Sequence, residues 1–282
     1  MKKHGITLRG ALHAVHALRR QLRCRVSLRR RLRVGEIHSP SFDGNSTKYG
    51  GAGLCFALLV LGVSAHAGRP LTSDDAGTAV PGSCQLESWT TRADSERAWT
   101  VAPACGLAPG WELGADYTRP QARSALRAEG GLALKWAPAA WQLSSTAGLL
   151  NFGLKLSGAW RQPAHAGWQS AQQGVAALAT LQAHDAWALH LNLGLARDHG
   201  SRSRATQLNL ALVWTPRDPW QLFAEVQANS KRAVFGGTLA TTGARWWLNK
   251  DTLGLDLTAA RESGVHGATV WTLGLCWYGI GL

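Results

Sequence analysis

The residues of this chain that could do chemistry are few, and their spacing matches no catalytic motif. His184 and Asp185 are adjacent, but they lie between Ala183 and Ala186 in a turn pattern, which favours a solvated turn over a catalytic pair. The sequence contains no phosphate loop, no G-x-S-x-G and no H-E-x-x-H motif. An acyl-transfer site needs Ser, His and an acid or amide on neighbouring strands, and no serine is paired in this way. We therefore predict that the protein is not an enzyme.

The sequence offers equally little evidence for a metal site or a cofactor. The cysteines beyond residue 67 are Cys84, Cys105 and Cys276, without a C-x-x-C or Cys/His cluster. We predict no metal site and no cofactor. Asp74 and Asp75 would suit a cation site or a plug inside a larger structure, but the surrounding non-periodic stretch favours an exposed tail.

Polar and apolar residues alternate with period two through most of the chain, which predicts β-strands because successive side chains face opposite sides. The clearest example is a pair of runs, 206–214 and 220–227. In the first run Leu208, Leu210 and Leu212 alternate with polar or small residues. The five residues between the runs, Thr-Pro-Arg-Asp-Pro, predict a tight turn.

Short turns alternate along the chain with longer, Arg-rich loops, which is the plan of an outer-membrane β-barrel. About twelve strands result when residues 141–161 are counted once. Their apolar phase slips near Gly148, which a β-bulge or two short strands with a tight turn would explain. Tryptophans stand at the strand ends, where an interfacial girdle belongs, at positions 111, 136, 141, 187, 214, 220, 246, 247 and 277.

A soluble β-sandwich or lipocalin-like barrel would show the same alternation with its apolar face buried. The Trp placement, the low charge of the body, the turn asymmetry and an export signal favour a membrane. The predicted fold is therefore all-β, an antiparallel transmembrane β-barrel of about twelve strands spanning residues 83–282, in the outer membrane of a Gram-negative bacterium.

The basic character of the chain belongs to its leader. Residues 1–67 hold twelve Lys and Arg and two acids, whereas the remaining residues carry eighteen basic and fifteen acidic side chains. A nearly neutral body lacks the basic footprint of a nucleic-acid-binding domain, so we predict no nucleic-acid partner. The apolar run 54–65 and the Ala65-His66-Ala67 site predict a signal peptide cleaved before Gly68.

These features divide the chain into a basic leader with signal peptide (1–67), a periplasmic N-terminal segment (68–82) and the barrel (83–282). The Arg-rich stretch before the apolar run is longer than an ordinary signal-peptide n-region. Either translation begins nearer Lys48 or the basic leader is real.

A disulfide between Cys84 and Cys105 is predicted from symmetry. If residues 84–105 form a hairpin centred between Asp94 and Ser95, the two cysteines face each other directly. Export to an oxidising compartment would allow them to bridge; the alternative is a pair of small buried apolar residues.

The polar residues whose parity opposes the Leu and Trp face are predicted to line a lumen. They are Glu112, Asp116, Arg127, Glu129, Lys135, Lys155, His190, Asn192, Asn209, Glu225, Gln227 and Asp256. Both charge signs occur, so the lumen is expected to be cross-linked by ion pairs and narrow. The predicted function is a channel or transporter for a small molecule; the alternative is a non-conducting structural or surface-interaction barrel. Its expected partners are outer-membrane lipid, the barrel-assembly machinery and an unknown small-molecule substrate.

The stretch Arg69-Pro-Leu-Thr-Ser-Asp-Asp-Ala-Gly-Thr78 resembles the start of the phenol-degradation MetA-pathway outer-membrane proteins, with Ser73 where Thr is common. The resemblance covers the body only as a strand pattern. It implies an outer-membrane barrel that passes small apolar or aromatic compounds. Such barrels commonly end on an aromatic residue, whereas here Trp277 and Tyr278 precede Gly-Ile-Gly-Leu282.

Overall fold

The computed structural model describes residues 71–93, 96–121, 125–263 and 269–281, and almost all of this part of the chain is β-structure. The predicted leader and its cleavage site lie outside the described residues. The strands are β1 (Ser83–Ala93), β2 (Glu96–Ala108), β3 (Trp111–Pro120), β4 (Leu126–Trp136), β5 (Leu143–Ser145), β6 (Gly148–Pro163), β7 (Gln169–Ala183), β8 (Trp187–Asp198), β9 (Arg204–Arg217), β10 (Trp220–Asn229), β11 (Leu239–Asn249), β12 (Leu253–Glu262) and β13 (Thr269–Gly281).

Twelve of these strands close into one antiparallel barrel. Each long strand pairs with its sequence neighbours, β1 pairs with β13, and β4 pairs with β6, which joins the two edges of the sheet. Closure leaves no unpaired edge among the twelve long strands, as a strand-built membrane protein requires. The predicted barrel of about twelve strands is confirmed.

The region near Gly148 contains a turn and not a bulge. The three-residue strand β5 pairs with the start of β6, and Ala139–Trp141 form a 3-10 turn before it. Gly148 has a φ of 132°, and a Cβ there would collide with the carbonyl oxygen of Gln182. Glycine is therefore required where the chain reverses. This connection is the longest at the short-turn end of the barrel.

The two faces of the sheet differ as the alternation predicts. On β8, Leu193 and Leu195 are 55% and 60% exposed, whereas His190 and Asn192, which have the opposite parity, are 2% and 5% exposed. Paired residues lie on the same face, so exposed leucines of neighbouring strands stand side by side, as Leu193 does with Leu208 of β9. The outer face is an apolar belt, and the polar side chains point into the barrel.

Tryptophan pairs mark the short-turn end of this belt. Cross-strand indole rings stack at centroid distances of 5.6 Å for Trp111–Trp136, 5.3 Å for Trp187–Trp214 and 6.1 Å for Trp220–Trp246. Their amphipathic rings suit the interface between hydrocarbon and water.

The predicted disulfide is confirmed. Cys84 of β1 and Cys105 of β2 are direct partners in the register and are bridged. The centre of the symmetry, Asp94–Ser95, lies outside the described residues. Cys276 is a free, buried thiol on β13. No helix in the described ranges is long and apolar enough to cross a membrane.

Candidate functional site

The interior of the barrel holds a cavity of about 810 Å³. Its wall is built by inward-facing side chains from strands all round the barrel, and it is rich in carboxylates and amides. Seven of the predicted lumen residues line it: Glu112, Asp116, Glu129, Lys135, Lys155, Asn209 and Gln227. Most of the wall comes from the half of the strands nearest the longer loops.

The other half of the interior is occupied by the chain itself. The N-terminal segment (residues 71–79) lies inside the barrel, where Leu71 packs with the buried side chains of Ala188, Val213 and Phe223. Asp75 is 3% exposed. The interpretation of this stretch as an exposed tail is therefore wrong. The prediction of a periplasmic location for residues 68–82 remains a prediction.

Glu225 of β10 holds the start of the segment. Its carboxylate accepts hydrogen bonds from the backbone N–H of Thr72 at 3.0 Å and from the hydroxyl of Ser73 at 2.6 Å. The backbone N–H of Ser73 donates to the same carboxylate. Charge-assisted bonds of this kind are about twice as strong as neutral ones.

Two further strands bind the backbone of the segment. The Asn192 side chain accepts from the N–H of Asp74 at 2.7 Å and donates to the carbonyl of the same residue at 2.8 Å. The N–H of Ala76 donates to Thr180 Oγ1 at 2.9 Å, and that hydroxyl lies 3.0 Å from His190 Nδ1. A segment without regular structure thereby satisfies its buried backbone groups.

Ion pairs fix the aspartates. Lys135 Nζ lies 3.2 Å from Asp75 and 3.2 Å from Glu112, with all three side chains at least nine-tenths buried. Lys155 Nζ lies 2.5 Å from Asp74, and this pair is about a quarter exposed. Burial by itself would raise the pKa of Asp74, but the ammonium groups of Lys155 and Lys135 outweigh it and hold that pKa below its ordinary value.

The segment leaves the interior beside β2 and β3. The N–H of Ala79 donates to Glu112 Oε2 at 2.7 Å. A Cβ on Gly106 would collide with the carbonyl oxygens of Ala79 and Val80, so the segment can pass this close only because position 106 has no side chain.

A second polar cluster lies on β11, β12, β13 and β1. Arg245 donates to both carboxylate oxygens of Asp256, at 2.6 Å from Nε and 3.1 Å from Nη2, and to the hydroxyl of Tyr278 at 3.2 Å. The Tyr278 hydroxyl donates to Glu87 at 2.8 Å. The guanidinium also stacks over the Trp247 ring at 4.8 Å. This fully partnered network closes the wall where the first and last strands meet.

The predicted lumen residues thus fall into three groups. Glu112, Lys135, His190, Asn192, Glu225 and Asp256 are buried, and Glu129, Lys155, Asn209 and Gln227 are half-buried. Asp116 and Arg127 are exposed, Asp116 towards the cavity. Arg127 stands apart from the cavity wall, because an irregularity between Leu126 and Ala128 breaks the alternation at the start of β4.

Sequence reasoning missed several members of these clusters, among them Thr180 and Glu87. Ser73 and Asp75 belong to a non-periodic stretch, which carries no strand parity. Arg245 and Tyr278 are the sequence neighbours of Trp246 and Trp277, which face outward. Period-two alternation therefore places the Arg245 and Tyr278 side chains inside the barrel, and the sequence could have predicted this. Within the described residues no group of three His, Cys, Asp or Glu side chains is arranged to hold a metal ion.

Solved structures with a similar fold include two porins. The KdgM porin is 7% identical over 68% of this chain and 98% of that chain, with a TM-score of 0.51. The NanC porin is 7% identical over 69% of this chain and 98% of that chain, with a TM-score of 0.53. Such a likeness shows the fold, a closed β-barrel that resembles bacterial outer-membrane proteins. No curated protein is significantly similar in sequence.

The prediction that the chain is not an enzyme is wrong, because the fold does not exclude catalysis. The structural matches include outer membrane phospholipase A from Escherichia coli, 12% identical over 75% of this chain and 93% of that chain, with a TM-score of 0.45. The fold is compatible with a porin and with an enzyme, and the absence of familiar sequence motifs does not decide between them.

The resemblance to the MetA-pathway proteins is not confirmed by these comparisons. A different family model matches residues 55–276, which is most of the chain. The chain belongs to the family described as uncharacterised conserved protein UCP029691.

Proposed function

We propose that the protein is a channel in the outer membrane of a Gram-negative bacterium and that it passes small molecules. The observation that carries the proposal is the cavity of about 810 Å³ inside a closed barrel, walled by polar side chains. Side chains just fill the interior of a barrel of about eight strands, so a barrel of twelve strands is wide enough to enclose a solute path. The likeness to porins supports the same conclusion at the level of the fold.

The N-terminal segment would then be the barrier between the cavity and the short-turn end. Most of its contacts are hydrogen bonds and ion pairs, for example to Glu225, Asn192 and Lys135. Water can replace contacts of this kind when the segment moves, whereas a packed apolar core would resist displacement. Passage of a solute would require that displacement.

Conductance in planar lipid bilayers tests the proposal. We expect low, intermittent conductance for the purified protein and a larger, more persistent conductance for a variant that lacks residues 71–79. The matched control is Asn209→Ala, which alters the cavity wall without touching the segment. The heat-dependent shift in electrophoretic mobility reports whether each barrel is folded.

The deletion also separates the proposal from its main alternative. A folded barrel without the segment that still fails to conduct would overturn the channel and support a structural or surface-interaction role. If the deletion variant does not fold, Glu225→Gln replaces it, because this change weakens the hold on Thr72 and Ser73 while leaving the segment in the chain. More frequent openings are then expected, and an unchanged closed state would count against gating by the segment.

The partners of this proposal are membrane lipid around the apolar belt and the barrel-assembly machinery that inserts the strands. For the solute, the resemblance to the MetA-pathway proteins favours small apolar or aromatic compounds. The carboxylates and amides of the cavity wall would bind the polar part of such a molecule.

A further inference from the structure

Six exposed arginines stand on the strands at the long-loop end of the barrel, just beyond the apolar belt. We call them the arginine collar: Arg92, Arg97, Arg119, Arg197, Arg204 and Arg261. Along β8, β9 and β12 the collar arginines continue the outward-facing phase of the exposed leucines. Arg197, for example, follows Leu193 and Leu195 at spacings of two.

Acidic residues at the same end face the other way. Glu96, Asp198 and Glu262 are the sequence neighbours of Arg97, Arg197 and Arg261, and successive residues of a strand point to opposite faces. Glu96 and Glu262 line the cavity, and so does Arg97. On β8 and β12 the strands therefore place carboxylates inside and guanidinium groups outside, which keeps these adjacent opposite charges from pairing.

The collar also brings like charges together. Arg92 is the direct register partner of Arg97 on β2, and Arg197 is the direct partner of Arg204 on β9. Like charges directly opposite each other destabilise a sheet. Among the described residues no collar arginine forms an ion pair. The arrangement has a cost that an anion on the outer face would offset.

We propose that the arginine collar binds the phosphate groups of lipid headgroups in the membrane leaflet at the long-loop end. Guanidinium groups bind phosphate oxygens in a two-pronged geometry, and a position just beyond the apolar belt is the level of lipid headgroups. In outer-membrane barrels the longer loops are extracellular, so this is the outer leaflet. The inference rests on the membrane location in the proposed function and is independent of conductance.

Quenching of tryptophan fluorescence by brominated lipids provides the test, because Trp271 is the register partner of Arg92 and Trp99 that of Arg119. The barrel is reconstituted in phosphatidylcholine bilayers that contain either brominated phosphatidic acid, a phosphomonoester, or brominated phosphatidylcholine. The ratio of the two quenching strengths gives the preference of the protein surface for the anionic phosphomonoester over the zwitterionic phosphodiester headgroup.

Arg119→Gln removes the collar arginine that adjoins the reporter Trp99. Arg217→Gln is the control, because Arg217 is exposed at the short-turn end and has Trp220 as its register partner. Arg119→Gln is expected to lower the preference roughly five-fold, given about 1 kcal/mol per basic residue near an anionic membrane surface. Arg217→Gln should leave the preference unchanged, and added salt should reduce it in the wild-type protein.

Three outcomes are informative. Equal preference in the wild-type protein and Arg119→Gln would overturn the collar as a binding surface. An equal loss in Arg217→Gln would also overturn it, since the effect would then follow net charge and not position. Failure of the wild-type barrel to insert into the neutral bilayer would instead contradict the membrane location, and that result is visible before any quenching is compared.

Discussion

The inner and outer faces of the same strands differ in how their side chains are satisfied. Outside, Leu210 and Leu273 are 44% and 58% exposed and make apolar surface that needs a hydrocarbon solvent. Inside, Arg245 and Asp256 are almost fully buried charges that are stable because each meets the other. The outer face depends on what surrounds the protein, whereas the inner face depends on complementary partners within it. The two faces should therefore respond oppositely to substitutions.

The largest effect is expected where an inner partner is removed. Asp256→Ala leaves the buried guanidinium of Arg245 without its counter-charge, and breaking a buried pair in this way costs about 3–5 kcal/mol. Urea titration in lipid vesicles measures the free energy of unfolding. Removing both charges in Arg245→Met with Asp256→Leu should recover much of the loss, and a double variant as unstable as the single one would show that the charges are not coupled.

A charge added to the outer face should cost nearly as much. Leu210→Arg places a guanidinium at a mid-strand position facing hydrocarbon, with an expected loss of about 2–4 kcal/mol, whereas Asn209→Arg, one residue away, should cost much less because Asn209 lines the cavity. The same urea titration measures both.

Labelling decides the direction of each face independently of stability. Single cysteines at positions 210 and 273 should react in membranes with a lipid-soluble maleimide and resist a charged one, and a cysteine at position 209 should show the opposite preference. Reaction of position 210 with the charged reagent would contradict the assignment of the outer face to lipid.

The contrast between the inner and outer faces also explains which parts of the structure the sequence predicts. Period-two alternation exists within each strand, so it predicts the outer belt and the burial of residues such as His190 and Glu225. The Cys84–Cys105 bridge was predictable because a hairpin imposes symmetry on residues near in sequence.

Contacts of the N-terminal segment were not predictable in the same way. Ser73 meets Glu225 across 152 positions, and Asp74 meets Asn192 across 118. No local pattern encodes such pairings, since residues 71–79 have neither helical nor strand period. The acidic pair Asp74–Asp75 hints at a buried basic partner only once the lumen is known to contain Lys135 and Lys155.

The smallest expected effect lies at the boundary between the segment and the cavity. Asp74→Asn removes the ion pair with Lys155, which is about a quarter exposed, and pairs open to water contribute about 1 kcal/mol or less. Asp74 is held by Lys155 of β6 and Lys135 of β4, while Glu225 and Asn192 bind other parts of the segment, so the substitution should loosen one anchor among several. The fraction of time open in bilayers should rise by less than about five-fold.

The direction of the pKa shift of Asp74 determines how the effect of Asp74→Asn depends on pH. A carboxyl group whose folded pKa lies below its ordinary value of about 3.9 contributes its full stabilisation above that value and loses it as the pH falls through the lowered pKa. The difference in open fraction between the wild-type protein and Asp74→Asn should therefore be constant from pH 8 to pH 5 and shrink only in stronger acid. A difference that vanishes near pH 6 would mean that the surroundings of Asp74 raise its pKa, and that Lys155 and Lys135 do not hold the segment through this carboxylate.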